Sequence, residues 1–199
     1  MAVSLLKKFE GGLAFNEIEK FTSQARTWYI KELRNLIVNR QKLLRDSATI
    51  KKNRLFPGRL FMYFYEPKHK DTLPYYDRFP LVMVVEKAQG KPGFYGLNFH
   101  YLDYRKRAIL MERLMKYATN KKYDESTRLR LSYKLLKGAS KLAAFKPCFK
   151  HYLPGQIASP IKMIPAQYWE TALFFPSEQF KKSTRKNVFT KSRRLARPS

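Results

Sequence analysis

Apolar positions concentrate in three short runs, Arg59–Tyr65, Leu81–Glu86 and Phe94–Tyr101. Each is rich in aromatic or β-branched residues and lies between Pro/Gly clusters, the pattern of consecutive strands joined by turns. The first run is apolar on both faces, so it should be covered on both sides, and Glu66-Pro67 ends it. The loop Lys68–Arg78 follows, extended around Leu73-Pro74 because proline disfavours a helical residue before it. Gly90-Lys91-Pro92-Gly93 makes a turn between the second and third strands. Ile161–Ile164 is short and apolar, and reads as a strand returning to this core.

Elsewhere the period is helical. Ile18, Phe21, Ala25, Trp28 and Leu36, with Tyr29, Leu33 and Ile37 beside them, predict a helix over Glu17–Asn39. Asn16 and Glu19 resemble its capping box. A second helical piece runs through Gln41–Ile50. Asp103 caps a helix to about Tyr117, with Ile109, Leu110, Leu114 and Tyr117 inward. Asp124 caps another, with Leu131, Leu135 and Leu136 inside and Gly138 as its stop. Ala139–Lys150 is basic and carries no single period. Pro165 stands at a first helical position ahead of Ala166–Phe174.

The chain therefore divides into an arm (1–14), a helical segment (15–54), a β core (55–102), a helical insertion (103–150), a return strand with a short helix completing the core (151–178) and a basic tail (179–199). The expected class is α+β: a small SH3-like β-barrel core with an N-terminal helix, a helical insertion and a basic C-terminal tail. At 199 residues the chain is long enough for one domain with a real core.

Charge changes this picture most. Lys and Arg number 41 against 15 Asp and Glu, a formal net charge of +26. A solvated face is normally mixed in sign, and an unscreened excess of this size repels itself and destabilises the compact state. A polyanionic partner resolves the difficulty, nucleic acid first, with a membrane surface as the rival. The candidate contacts are Arg54, Lys68, Lys70, Arg105, Lys106, Arg107, Lys181, Lys182, Arg185, Lys186, Lys191, Arg193 and Arg194. From Lys181 to Ser199 there are eight Lys or Arg and no acid, which reads as a disordered or partner-ordered tail. No apolar run is long enough to span a bilayer. The N-terminal apolar stretch is too short for a signal peptide, so no membrane partner is expected.

Other chemistry is weakly signalled. Asp46 with Glu66-Pro67-Lys68 loosely resembles a metal-dependent nuclease pattern. However, Asp46 sits in a helical period, and Glu66 reads better as a strand-end charge paired with a neighbouring Lys. The single cysteine, Cys148, has metal-like spacing to His151 but lacks two further ligands and reads as a buried thiol. No Gly-rich phosphate loop or nucleophile–base pair is visible. Tyr63, Tyr65, Tyr75, Tyr76, Tyr95, Tyr101 and Tyr104 could stack on bases, but they alternate with buried residue types and read as core. The expectation is no enzyme, cofactor, metal or small-molecule substrate.

The stretch Phe64–Pro80, then Gly93–Leu102, with the closing Ile161–Pro165, Trp169 and Phe174–Pro176, resembles the DNA end protector, or head-completion, proteins of large contractile-tailed bacteriophages. It covers about half the chain. The resemblance implies a virion component, assembled in the host cytoplasm, that caps packaged DNA ends by binding rather than catalysis and touches other virion proteins. It assigns no individual contact residue. The alternative is a tail, neck or baseplate assembly protein whose core packs against other virion subunits. A ribosome-associated protein would share the charge but not the phage-like stretch.

Overall fold

The computed structural model describes residues 24, 27–28, 31–32, 40–118, 122, 133–139 and 141–195. The arm, most of the expected helix over Glu17–Asn39 and the cap at Asp124 lie outside the described residues. Helix α1 (Arg40–Asp46) leads into β1 (Ala48–Ile50), then come β2 (Leu60–Met62), β3 (Tyr76–Asp77), β4 (Leu81–Lys87) and β5 (Phe94–Asn98). A 3-10 turn (Phe99–Tyr101) precedes α2 (Tyr104–Ala118). Residues 133–139 are helical. After a 3-10 segment (Ala143–Cys148) follow β6 (Phe149–Tyr152), β7 (Ile161–Ile164), α3 (Trp169–Phe174), β8 (Phe180–Lys181) and α4 (Arg185–Leu195).

Six strands form one antiparallel sheet in the order β1-β7-β2-β4-β5-β6, and β3 pairs with β8 in a separate ribbon. The class is α+β, but the expected barrel does not close. β1 and β6 are edges that do not pair with each other. A single bridge, Tyr65 to Ile157, ties the end of β2 to the segment leading into β7.

Both faces are buried, as two apolar faces on β2 require. On one face Leu60, Met62, Leu81, Met83, Val85 and Leu97 pack against Leu110, Met111 and Leu114 of α2, Trp169 and Leu173 of α3, and Val188 of α4. On the other, Phe61, Tyr63, Tyr65, Val82, Val84, Phe94 and Tyr152 form a smaller aromatic core with Ile157 and Ile161. Alternation along β2, β4 and β5 sorts the side chains between the two. The turn into β5 uses Gly90 and Gly93 at φ 68° and 107°. A Cβ on Gly93 would meet the Tyr152 carbonyl of β6, so this turn and the β5–β6 pairing depend on each other.

The Tyr63 hydroxyl is fully buried in the smaller core and has no hydrogen-bond partner. Burial, the largest cause, raises its pKa well above the usual tyrosine range, with Tyr65 and Asp77 adding to it. A lone buried hydroxyl is costly, so Tyr63→Phe should leave stability unchanged or raise it by about 1 kcal/mol. Urea melts would show this; a loss of more than about 1 kcal/mol would contradict it.

Several expectations are corrected. Gln41–Ile50 is not one helix: it ends at Asp46, and Ala48–Ile50 pairs with β7, where Thr49 and Ile50 suit a strand. The third strand stops at Asn98, whose side chain accepts from the His100 amide and opens the 3-10 turn. Gly138 does not end its helix, since 133–139 are helical on both sides of it. Residues 180–195 are β8 and α4, with Val188 and Ser192 buried, not a tail that waits for a partner to order it. The cap at Asp103 is found as expected: its carboxylate accepts from the Lys106 amide at 3.0 Å.

Candidate nucleic-acid interface

The turn 67–73 and the C-terminal segment are distant in sequence but adjacent in space. Tyr76 pairs with Lys181 and Asp77 with Phe180, which lays β8 along the end of the turn. Lys182 Nζ then donates to the carbonyls of Lys70, Asp71 and Leu73 at 2.8, 2.7 and 3.3 Å. Thr184 caps α4, its hydroxyl accepting from the Asn187 amide at 3.3 Å. The Lys191 ammonium lies 5.1 Å from the Tyr75 ring centre, and Tyr75 stacks on Tyr101 at 5.9 Å. Lys68, Lys70 and Lys181 are exposed, as are Lys186, Lys191, Arg193 and Arg194 on α4.

Beneath this face the chain is held by buried polar groups on three consecutive residues. His100 Nε2 lies 3.1 Å from Ser177 Oγ. Arg107 bonds Glu178 at 2.8 Å. Asp77 Oδ1 accepts the Gln179 amide at 3.1 Å. Asp77 Oδ2 also meets His100 Nδ1 at 2.6 Å and Asn98 Nδ2 at 3.2 Å. With that carboxylate accepting from Nδ1–H, the His100 ring turns its Nε2 toward the Ser177 hydroxyl. Ser177, His100 and Asp77 thus repeat the nucleophile–base–orienter order of a hydrolase. All three are at most 4 % exposed, so the arrangement is closed off from solvent and ties residue 177 to the core.

Arg107 was expected on the basic surface and is instead 3 % exposed. Its guanidinium donates to the carbonyls of Leu102, Leu173 and His100 as well as to Glu178. Burial alone would raise the Glu178 carboxyl; Arg107, followed by His100, outweighs it and holds the group at about 2.

The remaining candidates divide as follows. Arg54 is exposed on the link after β1, on a different element from the α4 face. Lys106 is half-buried on α2, and the side chain of Arg105 lies outside the described residues. Arg185 is half-buried and 3.6 Å from Glu178. Lys182 is exposed but has its ammonium occupied as given above.

The rival chemistries fare as follows. Asp46 accepts the Tyr168 hydroxyl at 2.9 Å. Glu66 is held by Arg78 at 2.9 Å, Tyr76 at 3.2 Å and Lys70 at 3.6 Å, the strand-end pairing the sequence suggested. Cys148 is buried, its thiol pushed up to about 12 by desolvation, while His151 faces the Pro92 carbonyl. Among the described residues no cluster of His, Cys, Asp and Glu could hold a metal ion, and no helix is long and apolar enough to cross a membrane. Of the tyrosines, Tyr63, Tyr65 and Tyr101 are core; Tyr75, Tyr76 and Tyr95 are half-buried; the Tyr104 side chain lies outside the described residues.

Sequence reasoning missed the buried tether, because its members are 71 to 102 residues apart. It also missed α4, which did carry a signal: Thr184 at a cap position, then Val188, Ser192 and Leu195 on one face.

Taken together these features define an α+β protein with a fastened, cation-bearing C-terminal helix beside a basic turn. Residues 18–195 match the family described as Phage T4 terminal DNA protecting protein, and the chain belongs to that family. Neither a curated protein nor a solved structure matches the chain.

Proposed function

We propose that this chain is a virion component that caps the ends of packaged phage DNA by binding, without catalysis, through its Lys/Arg-rich surface. The family is one of phage DNA-terminus protecting proteins. The observation that carries the finer reading is the joining of the turn 67–73 to the segment that opens α4, which brings exposed Lys68 and Lys70 beside a stretch bearing exposed Lys181, Lys186, Lys191 and Arg194. Phosphates are bound by such exposed cations with release of counterions. Arg54, Arg105 and Lys106 would add contacts only if DNA extends past this face. Arg107 and Lys182 are left out as direct contacts because the protein itself occupies their donors. Segment 1–14 would then be an extension of a core formed by 55–102 and 151–178, to which 15–54 adds β1 and 103–150 adds the first residues of β6.

Linear duplex mixed with the protein and then with a processive double-strand exonuclease should survive at least tenfold longer than bare DNA. The DNA should keep its length when magnesium is present and the exonuclease is left out. Unchanged digestion at saturating protein would refute the capping role.

A further inference from the structure

Lys182 stands out twice. It is the only described non-glycine residue with positive φ, at 60°, a conformation lysine seldom adopts. Its three ammonium protons face three carbonyls, those of Lys70, Asp71 and Leu73, and an ammonium has three donors and no more. The two observations explain each other. The chain leaves β8 through a left-handed residue, and this turns the side chain back across the β3–β8 ribbon onto the turn 67–73. That turn has its own short hydrogen bonds, Lys70 N to Pro67 O, then Thr72 N and Leu73 N to His69 O. Lys182 covers three of the carbonyls those bonds leave over, at Lys70, Asp71 and Leu73.

We propose that Lys182 is a positioning residue: it latches the turn 67–73 against the start of α4, so that Lys68 and Lys70 present their charges to the same DNA as the helix. This rests on the DNA reading above. Lys182 does not itself meet phosphate, because doing so would release three carbonyls. The surface is therefore composite: loss of one latch disperses the cations of a different element, although none of them has changed.

The test compares Lys182→Met with Lys68→Gln/Lys70→Gln and with the triple variant, measuring DNA affinity across a salt series. A direct phosphate contact changes the slope of log K against log salt by about 0.9. The latch predicts that Lys182→Met alone lowers the slope by more than one contact, approaching about 1.8. It also predicts that the triple variant is no weaker than Lys68→Gln/Lys70→Gln, the non-additivity expected of coupled residues. Amide exchange over 68–73 should quicken in Lys182→Met, and Lys182→Arg should restore it in part. A slope change of about one contact that adds to the loop variant, no slope change, or unchanged exchange would each overturn the latch. A wild-type protein whose affinity is flat in salt would overturn the DNA reading instead, while the exchange measurement would still decide the latch.

Discussion

Arg107→Ala should destabilise the fold by about 3–5 kcal/mol, the usual cost of removing one partner of a buried ion pair. Glu178 would be left with 3 % of its side chain exposed and with Arg185 at 3.6 Å as its remaining cation. Three carbonyls would lose a donor at the same time. The pH dependence follows from the depressed carboxyl. Glu178 is held at about 2 against an ordinary 4.5. Its contribution is therefore complete above about pH 4.5 and is lost as pH falls through about 2; a shift of that size corresponds to about 3 kcal/mol. Thermal melts between pH 7 and pH 2 should show this loss in the native protein and a flatter profile in Glu178→Gln. Replacing both partners by methionine should recover part of the loss. An Arg107→Ala protein within about 1 kcal/mol of the native one would mean that the guanidinium is not what holds residues 177–179 down.

The second large effect is on DNA. Changing Lys181, Lys186, Lys191 and Arg194 together to glutamine should lower the salt slope by about 3.6 and weaken binding on the order of 10³-fold near 0.15 M salt. The control removes the same charge elsewhere, at the exposed Lys51, Lys87, Lys134 and Lys146. If bulk charge alone drives binding, the two sets fall equally. If the face beside the turn 67–73 is the contact, the control loses less than about tenfold. Equal losses would leave the family assignment standing and remove the specific face.

β2, β4, β5 and β7 were legible because each is an apolar run bounded by proline, glycine or charge, and burial on both sides of β2 needs no more information than its composition; β1, β3, β6 and β8 were not, being two to four residues long and mixed with polar or basic side chains. The cap of α2 was legible because Asp103 acts within one turn. The open edges were not, since a meander of short strands fits a barrel as readily as a curled sheet; the difference lies in whether β1 and β6 meet. Arg107 illustrates the limit for the site. Its charge placed it among the surface cations, but Asp103 sets α2 so that this position faces inward, toward Glu178. Lys182 illustrates the opposite case: it is on the surface, and its role comes from a backbone angle no composition reveals. The charge excess was readable at once, while its arrangement required the pairing of β3 with β8.

The tether at Ser177, Glu178 and Gln179 also fixes an order of events. Its anchors belong to β3, to the 3-10 turn after β5 and to α2, so none of the three can engage until those pieces have found one another. Non-local contacts of this kind carry a loop-closure cost and are slow to form. The protein should thus pass through a stage in which most of the sheet stands while its cations swing free. A chain interrupted before residue 176 would stop at that stage, with an aspartate, a histidine and an arginine lining an empty seat, and a cell's proteases would be expected to find it.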